Sequence, residues 1–247
     1  MTARAQPTVA FTVDVEPDCP PYLSGFRGVE QGMPRLLDLL GARGIAATFF
    51  TTGDVATRYP DIVARLVRDG HELACHGMTH TAFSDLGEAA ARDEIERSAE
   101  ILRRFARVTS FRAPYLRFPP SFVPLLERAG FTLDSSQAKY KAAYLRARMR
   151  RTSHGLTRVP ASVTSSVLRL PRLVRAAYLA ALSDPVVLFV HPWELVDLRR
   201  EKLRIDCRFK TGDEALRCVA SVIDSYAARG ARFVRMRELA VTADNPA

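Results

Sequence analysis

The sequence predicts an α/β chain folded as a distorted (β/α) barrel of seven or eight strands. Three observations point there. Short β-rich runs alternate with longer helical runs along the chain, which implies parallel strands joined by right-handed crossovers. The length of 247 residues is what one such barrel fills. The polar residues able to do chemistry stand at or near the C-terminal ends of the strand-like runs, where a barrel gathers them and an arbitrary surface would scatter them.

Val9 to Val15 (VAFTVDV) reads as the first strand. A loop studded with Pro and Gly leads to Gly32, and Pro34 opens a helical pattern that Gly41 and Gly44 stop. Ala46 to Thr51 is a second strand, and Pro60-Asp61 begins a helix (DIVARLVRDG) that ends at Gly70. Glu72 to Cys75 is a short strand. Leu86 to Arg107 is a long amphipathic helix with Glu/Arg pairs at helical spacing. Thr109 to Arg112 is a strand, Ser121 to Ala129 a helix and Phe131 to Asp134 a strand. Pro185 to Val190 is the most strand-like run of all, followed by a helix over Gly212 to Arg229 and a last strand over Ala231 to Val234. No internal repeat or low-complexity linker interrupts the series, so one domain over 1–247 is expected.

With 47% apolar residues the chain can bury a full core, and no apolar run approaches the ~18–20 residues that cross a bilayer. Met1 to Pro7 carries one Arg and no apolar stretch, unlike a secretory signal, so the expected location is the cytoplasm. The four cysteines form no CxxC pair and read as reduced thiols. The net charge of +9 is local. Ser135 to Ser183 contains no Asp or Glu and ten of the 36 Lys and Arg, leaving 26 basic against 27 acidic residues elsewhere. Its runs LRARMRR and VLRLPRLVRAAYLAAL mix Arg with Leu, Val, Met and Tyr, and read as a basic amphipathic insertion at about 139–183 facing phosphate or an anionic membrane. No recognition fold accompanies it that would argue for nucleic acid.

The chemistry begins at His76-Gly77-Met78-Thr79-His80. Two imidazoles four residues apart, on a helix or tight turn, share one face and can grip one metal ion. Asp14 and Glu16, two apart on a strand, also share a face, and two such anions resist joint ionisation unless cations intervene. A divalent metal and Arg112 would supply them. Two histidines and a carboxylate make a set with open positions for water. His191, at the tip of the PVVLFV run, can act as an acid or base near neutral pH. Taken singly, each has a plain structural reading as a solvated carboxylate pair or a packed histidine; together they suggest an enzyme.

In order along the chain, these pieces resemble the polysaccharide deacetylase family, carbohydrate esterase family 4. FTVDVE (Phe11–Glu16) is similar to its first motif in an Asp-x-Asp/Glu variant, and HGMTH (His76–His80) to the second. FRAPY (Phe111–Tyr115), LDSS (Leu133–Ser136) and FVHPWEL (Phe189–Leu195) resemble the third, fourth and fifth. The resemblance implies a barrel of the deacetylase type and a hydrolase that removes an N-acetyl or N-formyl group from an amino sugar. Asp14 would be the general base, and Glu16, His76 and His80 would hold a divalent metal. Zinc is the first choice, with cobalt, nickel, manganese and iron admitted by the same donors. Arg112 would orient Asp14 and keep it charged, and the backbone N–H at Tyr115 would help hold the oxyanion. His191 would protonate the leaving amine, with Asp134 tuning the network. Val15 separates the two acids where the commonest form has adjacent aspartates, which also fits a branch resembling peptidoglycan deacetylases and allantoinase-like proteins.

Combined with the basic stretch, the resemblance suggests an envelope-glycan precursor, an amino sugar on polyprenyl phosphate met at the inner face of the membrane. The alternatives are an allantoinase-like hydrolase of a small amide and a non-catalytic binder of anionic membrane or nucleic acid.

Overall fold

The computed structural model describes residues 6–153 and 155–242. VAFTVDV forms the central strand because both its faces are covered. In β1 (Thr8–Val15), Val9, Phe11, Val13 and Val15 join the layer beneath the helices, while Ala10 faces the barrel interior. The two-residue period of a strand therefore sends Thr12 and Asp14 inward as well. β2 (Thr48–Thr51) and β3 (Glu72–Cys75) alternate in the same way, with Phe50 and Ala74 inside and Phe49, Leu73 and Cys75 outside.

β4 (Ser110–Phe111), β5 (Leu133–Asp134), β6 (Arg150–Arg151), β7 (Thr157–Arg158), β8 (Val186–Val190) and β9 (Arg232–Phe233) complete the sheet. Its order is β6-β7-β5-β4-β3-β2-β1-β8, and every pairing is parallel except the β6–β7 hairpin. β9 joins the first two residues of β1, before β2 begins to pair with that strand. The sheet curls, and past β7 the chain meets β8 through one bridge, Val163 to Leu188, backed by a hydrogen bond from Ser162 N–H to Val187 O at 2.9 Å. The result is the expected distorted barrel, drawn shut at a narrow seam.

The crossovers are α1 (Met33–Gly41), α2 (Gly53–Arg58), α3 (Pro60–Arg68), α4 (Glu88–Arg103), α5 (Val123–Arg128), α6 (Ser165–Leu168) and α7 (Arg172–Ala180). After β8 come α8 (Ile205–Arg208), α9 (Asp213–Ala227) and α10 (Met236–Thr242). Their apolar stripes pack Leu36, Leu40, Val63, Leu66, Ile95 and Leu102 onto the outer face of the sheet. The long helix is shorter than its pattern suggests: it ends at Arg103, whose guanidinium turns to cap the carbonyls of Val108 and Ala129. α2 has too few residues to show a period. Thr52 opens it, its hydroxyl accepting the Val55 N–H at 3.3 Å.

The acid-free stretch is not the uniformly anion-facing surface its composition suggests. It supplies β6, β7 and the seam, and three of its arginines are buried. Arg158 pairs with Asp134 at 2.8 Å, and Arg169 reaches Glu194 at 3.3 Å and the carbonyls of Asp206 and Phe209. Arg175 donates to Leu168 O and Ser221 Oγ, both at 3.0 Å. The acids that meet two of these arginines come from distant parts of the sequence, so local composition cannot reveal the pairing. Among the described residues, no helix is long and apolar enough to cross a membrane.

Candidate active site

The histidine pair lies on a turn at the end of β3. The ladder continues one residue past Cys75, His76 N–H donating to Thr51 O at 3.0 Å, so the His76 ring points inward like Ala74. Gly77 has φ +77°, and an added Cβ would stand 3.4 Å from Phe83 and Glu94, so the reversal suits glycine. Glu94 of α4 then fixes the turn, accepting the N–H groups of Met78 (2.8 Å) and Thr79 (3.1 Å) and the Thr79 hydroxyl (2.7 Å). His80, at φ +63°, is turned back over His76, with ring centroids 5.2 Å apart.

Glu16 meets both rings from the end of β1. Its Oε2 lies 3.3 Å from His76 Nε2 and 2.5 Å from His80 Nε2, and the three residues are at most 5% exposed. These are the donors that the sequence assigned to a metal, and they converge to within 4.8 Å of one another. The hydrogen bonding tests the fit. His76 Nδ1 lies 2.7 Å from Arg112 O, which can only accept, so Nδ1 carries the proton and Nε2 presents a lone pair to the Glu16 carboxylate. Lone pair against carboxylate at 3.3 Å is repulsive unless a cation stands between them. The donor set therefore fits a divalent metal, and two nitrogens with one oxygen suit zinc among others.

Asp14 lies further down the same inward face of β1. Arg112 Nη1 donates to Asp14 Oδ1 at 2.6 Å and to Thr12 Oγ1 at 2.8 Å, and Nη2 donates to Ser135 Oγ at 3.0 Å. The guanidinium is fully buried 4.1 Å above the Phe50 ring. Among the described residues no hydrogen bond engages Asp14 Oδ2, so one oxygen of the pinned carboxylate stays open.

His191 sits where β8 ends, packed flat on Trp193 with centroids 4.8 Å apart. Its Nδ1 is 2.6 Å from Glu194 Oε1 and its Nε2 faces Glu16 Oε1 at 3.8 Å. Burial alone would lower the His191 pKa, but Glu16, Glu194 and Asp14 outweigh it and raise it to about 9. Burial would raise Glu16, yet the charges of His80 and His191 hold it well below the usual carboxylate range. Glu194 is likewise held low against its burial, chiefly by Arg169 and His191.

Tyr115 follows Arg112 into a turn where it and Leu116 adopt φ +57° and +52°, a conformation costing roughly 1–2 kcal/mol at each such residue. Lys141 Nζ holds the turn by donating to Tyr115 O (2.6 Å) and Leu116 O (3.2 Å), and the Tyr115 ring meets His80 edge-on at 4.6 Å.

Asp134 is placed differently from the rest. Leu133 faces the interior, so strand alternation sends Asp134 to the outer side of the sheet, and Arg158, beside the inward Val159, meets it there. Its other oxygen accepts the Ser136 N–H at 2.9 Å. The carboxylate that touches His191 is Glu194, not Asp134. Glu194 was visible as the residue three places after His191, the capping-box position, and it also accepts the His191 N–H at 3.2 Å. Trp193, whose Nε1–H donates to Glu16 Oε1 at 3.1 Å, and Lys141, Arg169 and Glu94 gave no local signal.

Comparison with known proteins follows the same line. A family model described as polysaccharide deacetylase matches residues 2–133. The chain is 32% identical over 109 residues to a peptidoglycan-N-acetylglucosamine deacetylase of Bacillus cereus, a match covering 43% of this chain and 36% of that protein. It is 35% identical over 85 residues to a chitooligosaccharide deacetylase of a Bradyrhizobium species, covering 33% and 39%. The matches thus span well under half the length of these relatives. Among solved structures, one from Mycobacterium smegmatis described as a putative polysaccharide deacetylase superposes with a TM-score of 0.74 at 21% identity, over 99% of this chain and 92% of that one.

Proposed function

The chain belongs to the polysaccharide deacetylase family, and on that premise we propose that it is a metal-dependent hydrolase removing an N-acyl group from an amino sugar. The observation that carries this reading is the buried Glu16–His76–His80 cluster beside an aspartate pinned through one oxygen. The names of the relatives, which refer to deacetylation of peptidoglycan and chitooligosaccharides, support it.

A divalent cation on Glu16, His76 and His80 would acidify water and polarise the amide carbonyl. Asp14 accepts the proton of the attacking water at its open Oδ2, while Arg112 fixes the carboxylate through Oδ1. The N–H of Tyr115, set by the left-handed turn that Lys141 holds, donates to the oxygen on which charge builds. His191, with Nδ1 held by Glu194, passes a proton from Nε2 to the departing nitrogen.

The finer reading is an acetyl or formyl group on a sugar carried by polyprenyl phosphate, met by the enzyme at the inner face of the membrane. What supports it is the set of arginines left exposed in the acid-free stretch, Arg146, Arg148, Arg150, Arg151 and Arg172.

The test is metal analysis of the purified protein, with acetate and formate release measured on soluble and lipid-linked N-acylated amino sugars. Bound metal lost in His76→Ala and His80→Ala, with acyl release lost in Asp14→Asn, supports the reading. Hydrolysis of ureides with no acyl release from sugars would replace it by the small-amide alternative, and activity surviving Asp14→Asn would remove this mechanism.

A further inference from the structure

Helix α7 presents an unusual surface. Leu173 is 83% exposed, Val174 55% and Tyr178 39%, all on the face turned away from the barrel. Val174 and Tyr178, four residues apart, are neighbours on the surface of this nine-residue helix and Leu173 adjoins them, so the three form one exposed apolar face.

On its other side α7 borders a groove of about 810 Å³ shared with α9. Arg172 of α7, Arg217 of α9 and Arg229 just past the end of α9 line it, and among the described residues none of the three has an ion-pair partner. Arg175 lies in its wall, 7% exposed, and its guanidinium is met by a carbonyl and a hydroxyl but by no carboxylate among the described residues. The one carboxylate lining the groove, Asp224, already holds Arg43 through both oxygens at 2.7 and 3.1 Å. A buried cation without a counter-charge is costly. Four positive charges therefore share a groove with one carboxylate that is already engaged, and an anionic partner would complete it.

We propose that α7 and the α7–α9 groove dock the protein on an anionic phospholipid bilayer. Leu173, Val174 and Tyr178 enter the interfacial layer, and Arg172, Arg217 and Arg229 pair with lipid phosphates. Apolar insertion next to unpaired arginines is the mark of a helix lying in the plane of a membrane surface. A nucleic acid would use the arginines and leave Leu173 and Val174 in water. The surface combines residues of the acid-free stretch with Arg217 and Arg229, both far outside it. It deepens the lipid-carrier reading above and rests on that reading for its purpose, not for its measurement.

The experiment is sedimentation of the full-length protein with phosphatidylglycerol and phosphatidylcholine vesicles at low and high salt. Two triple variants are compared, Arg172→Gln/Arg217→Gln/Arg229→Gln and Leu173→Ser/Val174→Ser/Tyr178→Ser. The expected result is binding to phosphatidylglycerol alone, weakened by salt. The arginine variant should bind about a hundredfold more weakly, at roughly fivefold per residue, and the apolar variant about tenfold. Both should keep their melting temperature and acyl release from a soluble sugar. Equal binding by the variants, no binding by the wild type, tighter binding to duplex DNA, or a dimer broken by the apolar variant with vesicle binding unchanged would each overturn the proposal. The two assays on the unsubstituted protein separate the two readings: acyl release without vesicle binding removes the docking surface alone, and vesicle binding without acyl release removes the hydrolase alone.

Discussion

Two buried arginine–carboxylate pairs lie on the same barrel, and strand alternation puts them on opposite sides of its wall. Asp14–Arg112 is inside, at 2.6 Å, and Asp134–Arg158 is outside, at 2.8 Å. Each carboxylate is at most 4% exposed. They differ in what their second oxygen does. Asp134 spends it on the Ser136 N–H, while no described hydrogen bond claims Asp14 Oδ2. A fully engaged pair builds structure; a pair with one idle oxygen beside the Glu16–His76–His80 cluster is free to accept a proton.

Substitutions can break that comparison. Asp14→Asn should lower kcat/KM by ~10²–10⁴, the usual worth of a general base, whereas Asp134→Asn should change it by less than about threefold in folded protein. Both strand a buried guanidinium and should cost ~3–5 kcal/mol in urea unfolding. A Leu/Met replacement of Asp134 and Arg158 together should recover most of that loss, because it removes both buried charges. If Asp134→Asn silences the enzyme while stability holds, the two pairs are not different in kind.

Lys141→Met sharpens the point at the Tyr115 turn. It frees the Tyr115 and Leu116 carbonyls, and kcat should fall about tenfold with KM little changed, as for a donor needed only in the transition state. Glu194→Gln should act on the pH profile. His191 must be protonated to donate, so activity falls as pH rises through its pKa, and removing the Glu194 charge should move that alkaline limb to lower pH.

The smallest effect concerns stability alone. Burial lowers the pKa of His71, which accepts the Ala47 N–H at 3.1 Å, so the unfolded chain takes up the proton first. Stability from this residue is complete above the ordinary imidazole value of about 6.5 and is lost as pH falls below it. His71→Phe should flatten that slope in urea titrations at pH 5 to 7, at a uniform cost of about 1–2 kcal/mol for the orphaned N–H.

The residues legible in sequence were those whose role depends on local spacing. Asp14 and Glu16 are two apart on a strand, His76 and His80 share one turn, and His191 sits at a strand tip; all five converge. The face of Asp134 is not legible, because a strand of two residues, Leu133–Asp134, gives no alternation from which to read it. Glu194 is legible as the capping-box residue three places after His191. Arg158 and Arg169 could not be read at all, since their partners lie 24 and 25 positions away, and a run of charges looks the same whether it meets solvent or a buried acid. The barrel was legible because alternation of element type is a long-range pattern; its seam at Val163 was not, being a single bridge.

Arg169 has a consequence for the whole rim. One guanidinium ties Glu194, and through it His191, to the carbonyls of Asp206 and Phe209 on the α8 segment. The packing of that segment and the proton affinity of the imidazole are thus two readings of one equilibrium. Because Arg169 and His191 share the Glu194 carboxylate, withdrawing Arg169 with α8 leaves Glu194 more fully to His191 and tightens its proton, and by reciprocity a deprotonated His191 leaves Glu194 more fully to Arg169.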